Sequence, residues 1–351
     1  MSLESALNIA RQYAQSSLAQ LPEPAQNALL NPLVQKALTA ALVYGVLRQT
    51  NRALSRWSMN NWQSAHPWQG DRELVLVSGG CSGIGKQIME DLAVKGIRVV
   101  ILDINEPNFQ LPRNVHFFKA DITNSESIRA IAEQIRQKLG EPTVLVNNAG
   151  VGHDGTILEE PEAKIRQTFE VNTISHFLMV REFLPSMIRQ NHGHVITIAS
   201  MASFVALGEM VDYCCSKASA LAFHEGLTQE LRYWYQAKKV RTRYGHIYMQ
   251  SDQLCTDRWS VIHPLWVRTP MIQQLTEAGN QFKQPVMTPE VVSEAVIKQI
   301  LSQSSGQVIL PASHSAASMV RAFPSWFQES VRGIASGSLR RLRELQAAQK
   351  V

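Results

Sequence analysis

The chain has 351 residues and a formal net charge of +5. With 45% apolar and 18% charged residues it reads as a folded protein, long enough for one large domain or two modest ones. The charge is uneven: residues 1–70 hold five basic and two acidic side chains, residues 321–351 hold six and two, and the body between them is close to neutral. That argues against a nucleic-acid-binding core, whose positive charge would sit on the body, and leaves an anionic surface such as a membrane for the basic ends. The four cysteines form no Cys-x-x-Cys pair, so zinc and thioredoxin chemistry and a disulfide scaffold are not expected, nor is any metal site. Glu4 and the lack of an apolar run at the N-terminus argue against a cleaved signal peptide.

Leu29 to Leu47 is the most apolar part of the first 70 residues. Asn31, Gln35 and Lys36 interrupt it, and the clean run from Ala37 to Leu47 is well short of the roughly 20 residues of a spanning helix. An interfacial helix or a short membrane insertion is predicted, anchored by Arg48, Arg52 and Arg56 and by Trp57, Trp62 and Trp68; packing on the body or on a second copy is the alternative. From Glu73 a new rhythm starts. Short apolar strands are predicted at 73–78, 97–103, 115–121, 142–148, 194–200, near 240–243 and 260–263, and at 307–310. Helical patterns fill 85–95, 125–139, 160–188, 211–235 and 289–303. Strict alternation with strands apolar throughout predicts an α/β doubly wound parallel sheet of the Rossmann type, covered by helices on both faces.

Ser78 to Gly85 (SGGCSGIG) lies between the first strand and its helix. Glycines there let a backbone approach a pyrophosphate at a helix N-terminus, although the Gly-x-x-x-Gly-x-Gly spacing alone also fits a mere tight turn. Asp103 ends the second strand, where an acid can hold both adenosine ribose hydroxyls and repel a 2′-phosphate, which favours NAD over NADP. Tyr213 and Lys217, four apart, share one helix face, and Ser200 ends the strand before them. A free tyrosine titrates near 10; beside a lysine ammonium and an oxidised nicotinamide its phenolate is stabilised, which makes Tyr213 a general base in oxidation and a general acid in reduction.

Over roughly residues 72–312 the sequence resembles a classical short-chain dehydrogenase/reductase. The glycine turn, Asp121-Ile122, Asn147-Asn148-Ala149-Gly150, Asn172, Ser200, Tyr213-x-x-x-Lys217 and Pro264 to Met271 carry the resemblance. It implies cofactor contacts at Ser78, Gly79, Ser82, Gly83, Ile84, Gly85, Asp103, Asp121, Ile122, Asn148, Ala149 and Gly150. Asp121 would touch adenine, Lys217 the nicotinamide ribose beside Tyr213, and Val267 and Thr269 the carboxamide. Ser200 would bind the substrate oxygen, and Asn172 would position a water linking Lys217 to solvent. The basic front narrows the resemblance to the membrane- or lipid-droplet-associated branch of retinol dehydrogenases and type 11 17-beta-hydroxysteroid dehydrogenases. That branch implies the endoplasmic reticulum or a lipid-droplet surface facing the cytosol, with the cytoplasm as fallback, and the family implies a homodimer through the helices around Asn172 and Tyr213.

The sequence departs from the family twice. Leu265 stands after Pro264 where the family has glycine, so a positive φ there would be costly. About 17 residues, Arg243 to Trp259, split the sixth strand; joining KVRT to SVIHP would restore it. They are either a loop at the substrate mouth or a retained non-coding segment. The domain boundaries expected are a 1–71 extension as membrane or lipid-droplet anchor, a single 72–312 dehydrogenase domain and a basic 313–351 helical tail, which is either a membrane-surface helix or a solvated one. Apolar stretches at 201–210 and 270–284 predict a lipophilic substrate, an alcohol of the sterol, retinoid or fatty class. The alternatives are a non-catalytic dinucleotide-binding lipid-surface protein disabled by the insertion, and, more remotely, a sugar-nucleotide epimerase.

Overall fold

A computed structural model of the chain describes residues 20–59 and 72–349, apart from 238–239, 242–260, 274–283 and 303–306, together with Ser5, Gln12, Ser16, Trp68 and Gly70. The chain divides into two units, Met1–Ser58 and Met59–Val351.

The first unit contains α1 (Glu23–Leu30) and α2 (Pro32–Met59). They part at Asn31, whose side chain accepts the Leu33 N–H at 2.9 Å, and Pro32 opens α2, where its missing N–H costs nothing. The bend between α1 and the part of α2 up to Asn51 is 72°. Among the described residues no single helix is long and apolar enough to cross a membrane; the bent pair meets that test together. Leu33, Leu38, Leu42, Tyr44 and Leu47 are exposed along α2.

The second unit is built on a parallel sheet. Its strands are β1 (Leu74–Ser78), β2 (Arg98–Asp103), β3 (Val115–Lys119), β4 (Val144–Asn147), β5 (Gly193–Ile198), β6 (Val240–Arg241), β7 (Val261–Pro264), β8 (Trp266–Val267), β9 (Val286–Met287) and β10 (Gln307–Leu310). Its helices are α3 (Gly83–Val94), α4 (Ser125–Leu139), α5 (Glu162–Phe169), α6 (Ser175–Gln190), α7 (Val211–Gln229), α8 (Pro289–Ser302) and α9 (Ser325–Gln349). The main order is β10-β7-β5-β4-β1-β2-β3. Alternate residues of β1 feed the two cores: Leu74 and Leu76 join Ile128, Ile135 and Phe183 on one face, and Val75 and Val77 join Ile88, Leu92 and Val296 on the other. The fold is therefore doubly wound, as the apolar strands predicted.

Two expected helices are modified. The 160–188 stretch carries a π-helical turn at Glu170–Ile174 between α5 and α6, and α7 runs into a second one at Glu230–Trp234. The two-residue ladder of β8 with β9 was not foreseen, since pairs this short leave no periodicity. Leu265 is not among the residues with positive φ, so the expected strain is absent; its N–H instead donates to the Leu310 carbonyl at 2.9 Å.

β6 and β7 pair with the same edge of β5. Val240 sits opposite Gly193 and Val261 opposite Thr197. Those partners are four steps apart on β5 while Val240 and Val261 are 21 apart in sequence, so the ladder leaves 17 residues without a place. The segment 243–259 lies outside the described residues.

Candidate active site

A cavity of about 880 Å3 opens at the carboxyl ends of the strands, where the chain order reverses around β1. Its first half is a cradle of bare backbone. Gly79 has φ 68°, and a Cβ there would stand 2.9 Å from the Ala149 Cα. A Cβ on Gly85 would collide with the Gly79 carbonyl and the Asn148 amide. The Ser78 hydroxyl accepts the N–H groups of Asn148 and Ala149, both at 3.1 Å, and the Asn148 amide donates to the Ser78 and Gly79 carbonyls at 2.9 and 3.2 Å. The turn and the end of β4 are thus stapled together. Gly79, Ser82, Gly83, Ile84, Asp103, Asp121, Ile122, Asn148, Ala149 and Gly150 all line the cavity. Val267 and Thr269 do so from the other side, with the Thr269 Cγ2 3.1 Å from where a Gly83 Cβ would be. Ser78 and Gly85 stand behind the wall rather than on it: Ser78 is 2% exposed and locks the turn, and Gly85 provides clearance.

At the junction with the second half lie Ser200, Tyr213 and Lys217. Ser200 follows β5 and caps a short 3-10 turn, its Oγ accepting the Ala202 N–H at 3.2 Å and donating to the Pro264 carbonyl at 3.4 Å. Lys217 on α7 donates from Nζ to the Ile198 carbonyl at 3.0 Å. A Cβ on Gly150 would be 3.3 Å from both Lys217 Nζ and Asn172 Oδ1, so both side chains face that glycine. Asn172 itself is buried behind the wall in the first π-helical turn. Its Oδ1 accepts the Val151 N–H at 2.8 Å, and its Nδ2 donates to the Val151 carbonyl at 2.8 Å and to Ser216 Oγ at 3.0 Å. The expectation for Tyr213 includes the charge of an oxidised nicotinamide, which the protein alone does not supply. Burial pushes its phenol up to about 12, and a hydrogen bond with Ser200 only partly opposes this; burial also brings Lys217 down to about 8. In the protein alone, desolvation is the largest cause of the Tyr213 shift.

The second half is largely apolar, although His153, Asp154 and His314 also line the cavity. Met201, Val205, Leu207, Met210, Leu265 and Trp266 line it, and so does one side of α9 through Val331, Ala335, Ser338 and Leu339. α9, the predicted basic tail helix, packs one face on this unit: Leu339 and Leu342 are buried, and Ser336 Oγ accepts the Gly208 N–H at 3.1 Å. Arg343 reaches Glu159 at 2.9 Å and Glu209 at 3.4 Å. The α9 residues were missed as site residues, although their 331-335-338-339 spacing is that of one helix face. Among the described residues no cluster of three or more His, Cys, Asp or Glu is placed to hold a metal.

Comparison with known proteins fits this geometry. The family model described as short chain dehydrogenase matches residues 73–242. Dehydrogenase RED2 of Cochliobolus heterostrophus is 41% identical over 228 residues, 63% of this chain and 86% of that protein. The chain belongs to the short-chain dehydrogenase/reductase family. Another relative, estradiol 17-beta-dehydrogenase 11 of Rattus norvegicus, is 30% identical over 270 residues, covering 74% of this chain and 83% of its own. The branch that the sequence resembles is thus represented among its relatives. A 3-ketoacyl-(acyl-carrier-protein) reductase from Brucella melitensis, solved with NADH, shares the fold with a TM-score of 0.57 at 19% identity, over 70% of this chain and 98% of its own. As a short-chain dehydrogenase/reductase, this protein is an oxidoreductase acting on alcohol and carbonyl groups.

Proposed function

We propose that this short-chain dehydrogenase/reductase interconverts a lipophilic alcohol, of the sterol, retinoid or fatty class, with its carbonyl, using NAD(H). The observation that carries the reading is the meeting of Ser200, Tyr213 and Lys217 at the seam between a glycine-cradled half and an apolar half of one cavity. The bare backbone at Gly79 and the clearance at Gly85 suit a dinucleotide pyrophosphate at the start of α3. When bound, the dinucleotide accepts or supplies the hydride at its nicotinamide. The chain's own residues handle the proton and the oxygen. Tyr213 Oη takes the alcohol proton in oxidation and returns it in reduction. Ser200 Oγ donates to the substrate oxygen and stabilises charge developing there. Lys217 supplies positive charge beside the phenol, and Asn172 ties the Val151 backbone to α7 through Ser216.

Asp103 supports NAD over NADP. Its carboxylate is fixed by the Cys81 and Asn105 N–H groups, both at 3.0 Å, and lines the cavity. Among the described lining residues Lys217 is the only lysine or arginine, so a 2′-phosphate would meet an acid without a basic partner. The site of action we propose is a lipid surface, a membrane or lipid droplet, supported by the exposed leucines of the bent α1–α2 pair.

The test is a panel of hydrophobic alcohols and ketones with NAD and NADP, comparing wild type with Tyr213→Phe. Turnover of lipophilic substrates with NAD, reduced at least about a hundredfold in Tyr213→Phe, is expected. Faster turnover with NADP at equal concentration overturns the reading of Asp103. Cofactor binding without Tyr213-dependent turnover points instead to a non-catalytic dinucleotide-binding protein, the reading that the split between β6 and β7 raises.

A further inference from the structure

Behind Ser200 the structure holds a buried histidine that the catalytic group does not use. His263 lies in β7, is fully buried, and tilts against the Phe204 ring with centroids 4.5 Å apart. Its Nδ1 is 2.9 Å from the Ser200 carbonyl oxygen, and its Nε2 is 3.0 Å from the Gln307 amide nitrogen on β10. A carbonyl can only accept, so Nδ1 carries the proton. An amide nitrogen can only donate, so Nε2 is the bare acceptor. Both neighbours ask for the same neutral tautomer. Burial holds the ring's pKa down to about 4, with the Lys217 charge acting in the same sense and the Ser200 carbonyl opposing.

We propose that His263 is a positioning residue for Ser200: with Gln307 fixing its tautomer, it anchors the Ser200 carbonyl and so aims the Ser200 hydroxyl at the reacting oxygen. The Pro264 carbonyl, one residue on, takes the Ser200 Oγ proton at 3.4 Å until a substrate oxygen replaces it as acceptor. This rests on the assignment of Ser200 to the substrate oxygen made above. The reason to hold a backbone carbonyl so firmly is geometric. Ser200 sits where β5 ends and the 3-10 turn at Met201–Ser203 begins, and rotation of the peptide after it would carry away the Ala202 N–H that holds Oγ at 3.2 Å. Near-attack geometry of that kind is sensitive to shifts of about an ångström.

The direct test uses the full chain with 15N-labelled histidine. NMR is expected to show His263 as the neutral Nδ1–H tautomer, staying so until the pH falls towards about 4. An Nε2–H tautomer, or a ring charged at neutral pH, overturns the proposal. The kinetic test compares His263→Leu with His263→Asn, whose amide nitrogen can stand in for Nδ1–H. His263→Leu is expected to lower kcat about tenfold or more, to leave the KM for NAD unchanged, and to move the rising limb of the oxidation profile to higher pH. That limb moves because the hydrogen bond lowering the Tyr213 pKa is lost. His263→Asn restores most of kcat and returns the limb. Wild-type kcat and profile in His263→Leu, or equal losses in both variants, overturns the proposal. If the leucine variant does not fold, His263→Gln, which reaches Gln307 but not Ser200, takes its place. Cofactor binding without Tyr213-dependent turnover would sink the proposed function, and the NMR tautomer would then decide this inference on its own.

Discussion

At Tyr213 the buried phenol holds its proton more tightly than free tyrosine does, and this sets a pH signature. The group begins as the acid that carbonyl reduction needs, while alcohol oxidation must first remove its proton. We expect kcat/KM for oxidation to climb steadily with pH above neutrality and kcat/KM for reduction to stay level or fall; a flat oxidation profile would contradict this. His176 makes a second prediction. It is buried on α6, and neither ring nitrogen has a partner among the described residues. Burial drops its pKa from 6.5 to about 3. The folded ring therefore stays neutral while the unfolded one takes a proton, so its contribution to stability is present above about pH 6.5 and is lost as the pH falls towards 3. His176→Leu should remove an unsatisfied polar group, stabilising the fold by about 1–3 kcal/mol and flattening acid unfolding over that window, as urea melts at stepped pH would show. The spacing of Ser200, Tyr213 and Lys217 was legible in the sequence because each residue sits at a strand end or on one helix face. The direction of the Tyr213 shift was not, because desolvation sums over side chains brought together only by folding.

Among the elements, α9 changes most between sequence and structure. Its arginines and leucines read equally well as a membrane face, and only the tertiary fold shows Leu339 packed with Met210 and Cys214 beside Tyr213 and Trp266. Two contacts on this helix should separate cleanly. Leu339→Ala is expected to cost about 2–5 kcal/mol and to raise the KM for bulky substrates, because it opens the substrate wall. Arg343→Ala should cost at most about 1 kcal/mol, since its ion pairs are half exposed and screened. Chemical denaturation of both variants checks the order. The π-helical turns were likewise not read from the sequence, where one extra residue in a single turn is hard to tell from ordinary scatter in the apolar spacing of a long helix. The first of them carries Asn172 to Val151.

For the whole molecule, the uneven charge of the ends now has two different meanings. The tail's basic residues include Arg343, paired within its own unit, whereas α2 displays apolar side chains without such pairing at Leu42 and Leu47. Binding of the full chain to anionic lipid vesicles should therefore survive Arg343→Ala and be lost in the double variant Leu42→Asp and Leu47→Asp, as sedimentation would measure. Alternation of strand and helix made the sheet legible from end to end, because buried parallel strands leave continuous apolar runs. What the sequence could only suggest at 243–259 becomes a count along β5: two short segments share one strand's place with 17 residues to spare. That seam is a natural place to cut the chain. A fragment ending at Thr242 would carry Ser200, Tyr213 and Lys217, and one beginning at Ser260 would carry Val267, Thr269 and α9. Neither has the whole cavity, and β5 is the template on which they would meet. Fused to two partner proteins, the halves would report, through dehydrogenase turnover, when those partners come together.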